Sequence, residues 1–153
     1  MAGFGALPAF RLPDAQGKLT GTEDYFQRRE MVMAILHEAC GECAALEGAL
    51  AQRLRDLWGL GAALLVIVPG APAHLEPQSP IPRVHDETGN VIALLEQRLA
   101  LIPGEARLIV ADRFGQVHAS LPAHGDPHGT VQEILRWVDF IEMQCPECGV
   151  PEW

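Results

Sequence analysis

Two uninterrupted apolar runs, residues 31–36 (Met-Val-Met-Ala-Ile-Leu) and 62–68 (Ala-Ala-Leu-Leu-Val-Ile-Val), flank one helical pattern and leave the chain few ways to fold. Each run is apolar at every position over the length of a strand, as in a β-strand buried on both faces. Between them Leu46, Leu50, Leu54 and Leu57 recur three and four apart, which predicts one amphipathic helix over 42–58, stopped by Gly59 and Gly61. Strand, helix and strand at this spacing form a crossover that makes the two strands parallel.

The rest of the chain extends that unit. Residues 9–12 read as a strand before the turn residues Pro13, Asp14 and Gly17, and 22–29 as a short helical turn. The proline-rich stretch 71–82 reads as a loop, 83–85 as a short strand and 91–99 as a helix. Residues 108–111 and 116–120 read as a hairpin turned by Asp112-Arg113-Phe114-Gly115. Val131, Ile134, Leu135, Val138 and Ile141 mark a final amphipathic helix, and the helix-face residues Trp58 and Trp137 read as core. The sum is an α/β chain with a mixed central sheet covered by helices on both faces.

A chain of 153 residues can bury a core without covalent staples, so its four cysteines need another explanation. Cys40 lies where a buried strand gives way to a helix. Unpaired N–H groups and the helix dipole favour a thiolate there, and the thiolate is the reactive form. Cys43 follows one turn later, within reach of the same sulfur. This strand–Cys-X-X-Cys–helix context points to thiol–disulfide exchange, with Cys40 attacking and Cys43 releasing the mixed disulfide. The other readings are a zinc half-site and a pair of inert thiols. Glu42, between the two sulfurs, should oppose thiolate formation and favour a reducing poise. His37, three residues before Cys40, reads either as a group that orients or deprotonates the attacking thiol or as a loop residue that shields the pair. Glu38 reads as solvated and Asp86 as a helix cap.

The net charge of −9 and the scattered basic residues exclude a nucleic-acid-binding surface and disfavour anionic membranes. The first residues lack a basic segment and a long apolar run, and no stretch is long enough to span a bilayer, so the cytoplasm is the expected compartment. No nucleotide fingerprint or Ser–His–Asp arrangement is visible.

The layout resembles the thioredoxin superfamily and, within it, the branch holding peroxiredoxins of the alkyl hydroperoxide reductase/thiol-specific antioxidant type. The residues that carry the resemblance are 7–14 (Leu-Pro-Ala-Phe-Arg-Leu-Pro-Asp) with Gly17, the strand entering Cys40-Gly41-Glu42-Cys43, the segment 84–91 and the hairpin 108–117. It implies a thioredoxin-like three-layer sandwich over residues 1–144 and two redox activities. One is a dithiol oxidoreductase acting on a disulfide-containing protein or small thiol. The other is a peroxidase whose Cys40 meets peroxide and passes through a sulfenic acid resolved by Cys43. The pattern departs from the family at three places. His37 holds the usual Thr/Ser position, Arg107 is an out-of-step counterpart of the peroxiredoxin arginine, and Ala106-Arg107 stands where thioredoxins carry a cis-proline.

Residues 145–153 form a separate tail with a second pair, Cys145 and Cys148, spaced like a zinc-ribbon knuckle. The pair reads as a redox relay or a metal knuckle. Zinc there is the one cofactor the sequence suggests, completed by Cys40 and Cys43, by a second subunit, or by His124 and His128. A third reading follows, a non-enzymatic protein whose four cysteines bind zinc across a dimer. In a thioredoxin-like fold the final helix runs away from the active-site edge for about 22 Å. Cys145 is then expected at the far pole, where Val150, Pro151 and Trp153 offer a homodimer contact.

Overall fold

A computed structural model describes residues 5–38, 40–72 and 79–144. A five-stranded sheet runs through the middle in the order β5-β4-β3-β6-β7, with β3 Glu30–Ile35, β4 Ala62–Pro69, β5 Arg83–Asp86, β6 Arg107–Ala111 and β7 Val117–Pro122. β3, β4 and β5 are parallel, whereas β6 and β7 are antiparallel to their neighbours. The helices are α1 Gly41–Gln52, α2 Leu54–Gly59, α3 Asn90–Arg98 and α4 Pro127–Met143.

Alternation along the strands divides the core in two. Val32, Ala34, Leu64, Val66, Leu108 and Val110 face α1, α2 and α4. Met31, Met33, Ile35, Leu65, Ile67 and Ile109 face the opposite way, against Leu95 and Leu99 and the N-terminal residues Leu7, Phe10 and Leu12. Full burial of one such side chain contributes about 1.5–3 kcal/mol, so each face is a substantial core. Three layers result, as expected from strands apolar on both faces. No described helix is long and apolar enough to cross a membrane.

Three expectations are corrected. The strand over 9–12 shrinks to β1, Leu12–Pro13, paired with β2, Leu19–Thr20. A side chain serves the backbone before it: Thr22 Oγ1 accepts the Phe10 N–H at 3.0 Å and donates to the Pro8 carbonyl at 2.8 Å. The single helix over 42–58 is broken at Arg53, whose φ of −110° and ψ of 14° leave the helical region. The break turns Leu54 and Leu57 onto the core and leaves Trp58 outward, 52% exposed rather than core; Trp137 is half-buried at its edge. Of the 71–82 loop, residues 73–78 lie outside the described residues.

The opposite ends of the sheet differ in chemistry. At the start of β3, Glu30 is buried and its carboxylate accepts from Arg113 Nη2 at 3.3 Å; Arg113 lies 3.9 Å from Glu142 near the end of α4. A buried carboxylate stripped of such a partner costs about 3–5 kcal/mol, so this contact pins the β6–β7 turn to β3. The other end of β3 leads into the cysteines. α4 starts beside them and ends at the Glu30 pole, a span of about 25 Å, as the sequence suggested.

Candidate active site

Cys40 is the residue that caps α1. Its backbone is extended (φ −121°, ψ 112°), and its Sγ accepts the main-chain N–H of Cys43 at 3.1 Å. One orphan donor of the first helical turn is thereby spent on the sulfur, and the dipole of α1 acts in the same direction. Cys40 is half-buried, while Cys43 is 2% exposed and packs into the core with Leu46. Both carry free thiols. One sulfur is thus open to a substrate and the other is held behind it.

The Cys43 thiol is pushed up to about 11, chiefly because burial disfavours its charged form. Its hydrogen bond with the Cys40 sulfur and the charges of Cys40 and Glu42 act in the same sense. The N–H of His37, which donates to Cys43 Sγ at 3.5 Å, opposes them. A nucleophile at Cys40 and a protonated partner at Cys43 suit an attack in two steps, the second beginning only after Cys43 loses its proton.

His37 therefore meets the pair through its main chain, at Cys43. Its side chain is half-buried, and Glu38 is exposed. Glu42 is exposed as well, and its carboxylate reaches the loop before α4, accepting the Gly125 N–H at 3.3 Å. This contact brings the loop containing His124 to the first turn of α1, a placement that no sequence spacing announced. Asp126, next in that loop, caps α4 by accepting the His128 N–H at 3.2 Å.

Arg107 opens β6 opposite Ile35, the last residue of β3. Its guanidinium donates to Ser120 Oγ at 2.9 Å and lies 3.2 Å from Glu105. Among the described residues there is no cis peptide bond, so Ala106-Arg107 enters β6 by a trans path. Asp86 serves α3, as the sequence suggested: Oδ2 accepts the Ile92 N–H at 2.7 Å. Among the described residues, no group of three or more His, Cys, Asp or Glu side chains is placed to hold a metal ion. Cys145 and Cys148, and with them the relay, knuckle and dimer readings, lie outside the described residues.

A three-layer sandwich with a mixed sheet and a Cys-X-X-Cys pair capping the helix after a central strand defines the class: the chain has a thioredoxin-like fold. The chain is similar over 92% of its length to 99% of peroxiredoxin Q from Xanthomonas campestris, with a TM-score of 0.74 and 14% identity. Peroxidoxin BcpB from Mycobacterium tuberculosis gives a TM-score of 0.72 at 14% identity, covering 92% of this chain and 98% of that one. The thioredoxin domain of a thiol-disulfide oxidoreductase from Bacteroides vulgatus gives 0.65 at 16%, covering 88% and 99%. At these identities the likeness is one of fold. No family model matches the sequence, and the curated proteins give no significant match.

Proposed function

We propose that the protein is a thiol–disulfide oxidoreductase working through Cys40 and Cys43. The observation that carries this reading is the Cys43 N–H aimed at Cys40 Sγ from 3.1 Å, with the second thiol buried behind it. Cys40 thiolate attacks one sulfur of a substrate disulfide and expels the other as a thiolate. Cys43 then gives up its proton and attacks Cys40 Sγ, which releases the remaining substrate sulfur. The protein dithiol loses two electrons, and the substrate disulfide gains them.

His37 is the group we assign to receive the Cys43 proton. Its main chain already meets that sulfur, and imidazole is a common general base for such a transfer. The peroxidase reading uses the same two cysteines, with peroxide oxidising Cys40 and Cys43 expelling water. The environment of Arg107 favours the first reading, because its guanidinium is already engaged by Ser120 and Glu105.

Reduction of insulin disulfides, measured beside peroxide consumption, tests the choice. Insulin reduction abolished by Cys40→Ser supports the proposal. Peroxide consumption at a high rate with no insulin reduction overturns it in favour of the peroxidase. The expected site of action is the cytoplasm, and the expected partner is a protein or small molecule bearing a disulfide.

A further inference from the structure

We propose that this site selects disulfides flanked by positive charge and disfavours anionic ones. The inference rests on the dithiol reading above and names the substrate class for the same two sulfurs.

The argument is one of charge placement. Glu38 and Glu42 both stand within two residues of Cys40 and both are exposed. Asp126 is exposed in the loop that Glu42 holds through the Gly125 N–H. Glu87 is exposed one residue beyond the end of β5, at the same pole of the sheet. Arg107, at the start of β6 opposite Ile35, is internally matched by Glu105 at 3.2 Å and is mostly covered, with 17% of its side chain exposed. Arg83, in β5, is likewise matched, by Glu47 of α1 at 3.3 Å, with 13% of its side chain exposed. Arg28 and Arg29 precede β3, Arg53 and Arg55 follow α1, and Arg113 lies against Glu30, all at the pole away from the thiols. Several of the carboxylates behind the net charge of −9 therefore stand exposed around the thiols. The pole that receives the substrate shows carboxylates, while much of the positive charge faces the other way.

Such a field raises the encounter rate of cations and lowers that of anions, by factors of ten or more, and salt suppresses it. The substrate class that fits is a disulfide with lysine or arginine side chains beside it. A small disulfide bearing carboxylates is repelled as it approaches Cys40.

The test uses the pre-reduced full-length protein in single turnovers, so that no added reductant takes part. Cystamine, with two ammonium groups, is compared with 3,3′-dithiodipropionate, with two carboxylates, at about pH 8. Each rate is divided by the rate of the same disulfide with uncharged dithiothreitol, which removes differences in intrinsic reactivity. The normalised preference for cystamine is expected to be about ten-fold at low ionic strength and to fall near one in about 1 M salt, where screening acts within about 3 Å. Substituting Glu38→Gln and Glu42→Gln together should reduce the low-salt preference at least about three-fold. Glutamine keeps an oxygen for the Gly125 N–H. Any change in Cys40 nucleophilicity cancels in the ratio. A preference at or below one, or one that the double substitution leaves unchanged, overturns the selectivity while the dithiol reading stands. If the protein reduces neither these two disulfides nor neutral 2-hydroxyethyl disulfide, the dithiol reading fails and the selectivity fails with it.

Discussion

The main-chain N–H of His37 lies 3.5 Å from the Sγ of Cys43, so the residue that ends the approach to the helix also touches the buried thiol. Replacing the side chain leaves that N–H in place. His37→Ala therefore separates the imidazole from the backbone. With the imidazole as proton acceptor, the step that closes the Cys40–Cys43 disulfide should slow by about 10²-fold. The mixed disulfide on Cys40 should accumulate, and mass spectrometry of the quenched reaction would show it. An unchanged lifetime of that species would restrict His37 to its main-chain contact.

Burial of Cys43 also has a stability consequence. Its pKa is raised from 9.0 to about 11, so between those values the unfolded chain has lost a proton that the folded chain retains. The unfolded state binds fewer protons there, and stability falls as pH rises through this window. The urea midpoint of the protein, kept reduced, should drop between pH 9 and pH 11. Cys43→Ala should show a shallower drop over the same window, and equal slopes would contradict the assignment. The comparison is needed because Tyr25, also raised by burial, contributes in the same direction.

Glu142 offers a second titration at the opposite pole. Its pKa is raised, first by a hydrogen bond with Glu30, then by burial and by the charge of Glu30, while Arg113 opposes. A raised carboxyl pKa means that this contact helps most at acid pH and loses its contribution as pH rises through the folded value. Glu142→Gln keeps a hydrogen-bond donor toward Glu30 at every pH. It should raise the melting temperature at neutral pH by about 1–3 °C, a small gain because Glu142 is partly exposed and screened. A lower melting temperature would show that the Arg113 attraction outweighs the repulsion between the carboxylates.

Gly21 carries no side chain because the fold leaves no room for one. A Cβ there would lie 2.0 Å from the Phe10 carbonyl oxygen, a main-chain atom that cannot rotate away. Gly21→Ala should destabilise the protein by about 2–4 kcal/mol, read from urea unfolding. Gly48→Ala is the matched control, since nothing lies within 4 Å of its Cβ position. It sits inside α1 and should be neutral or stabilising. Equal effects at the two positions would remove the steric account.

The second cysteine pair makes a prediction by its position in the chain. Gln144 is at the Glu30 pole, since Glu142 lies against Arg113 and Gly61 there. If the pair serves a structural or interface role, the combined substitution Cys145→Ser and Cys148→Ser leaves single-turnover insulin reduction within about two-fold of the parent. A larger loss would make the tail a relay, and bound zinc at one per four thiols would favour the metal reading.

Much of this fold was legible because burial writes itself into sequence. Strands apolar on both faces and helices apolar on one announce their place in a sandwich, and a cysteine at a strand–helix junction announces a sulfur at the helix cap. What was not legible depends on three-dimensional coincidence. The Leu46–Leu57 spacing is compatible with one helix, and only packing on the sheet shows the break at Arg53 and the outward turn of Trp58. Thr22 replaces a strand ladder with its own hydroxyl across twelve residues of chain. Glu42 meets Gly125 across eighty-three. Neither contact has a local pattern to betray it.

The course of α4 gives the molecule a working end and a holding end. The helix leaves the neighbourhood of Cys40 and delivers the chain to the far side of the sheet. A linker or an engineered tether attached beyond Gln144 would grip the protein from behind. Immobilised that way on a solid support, each copy would still present Cys40 outward.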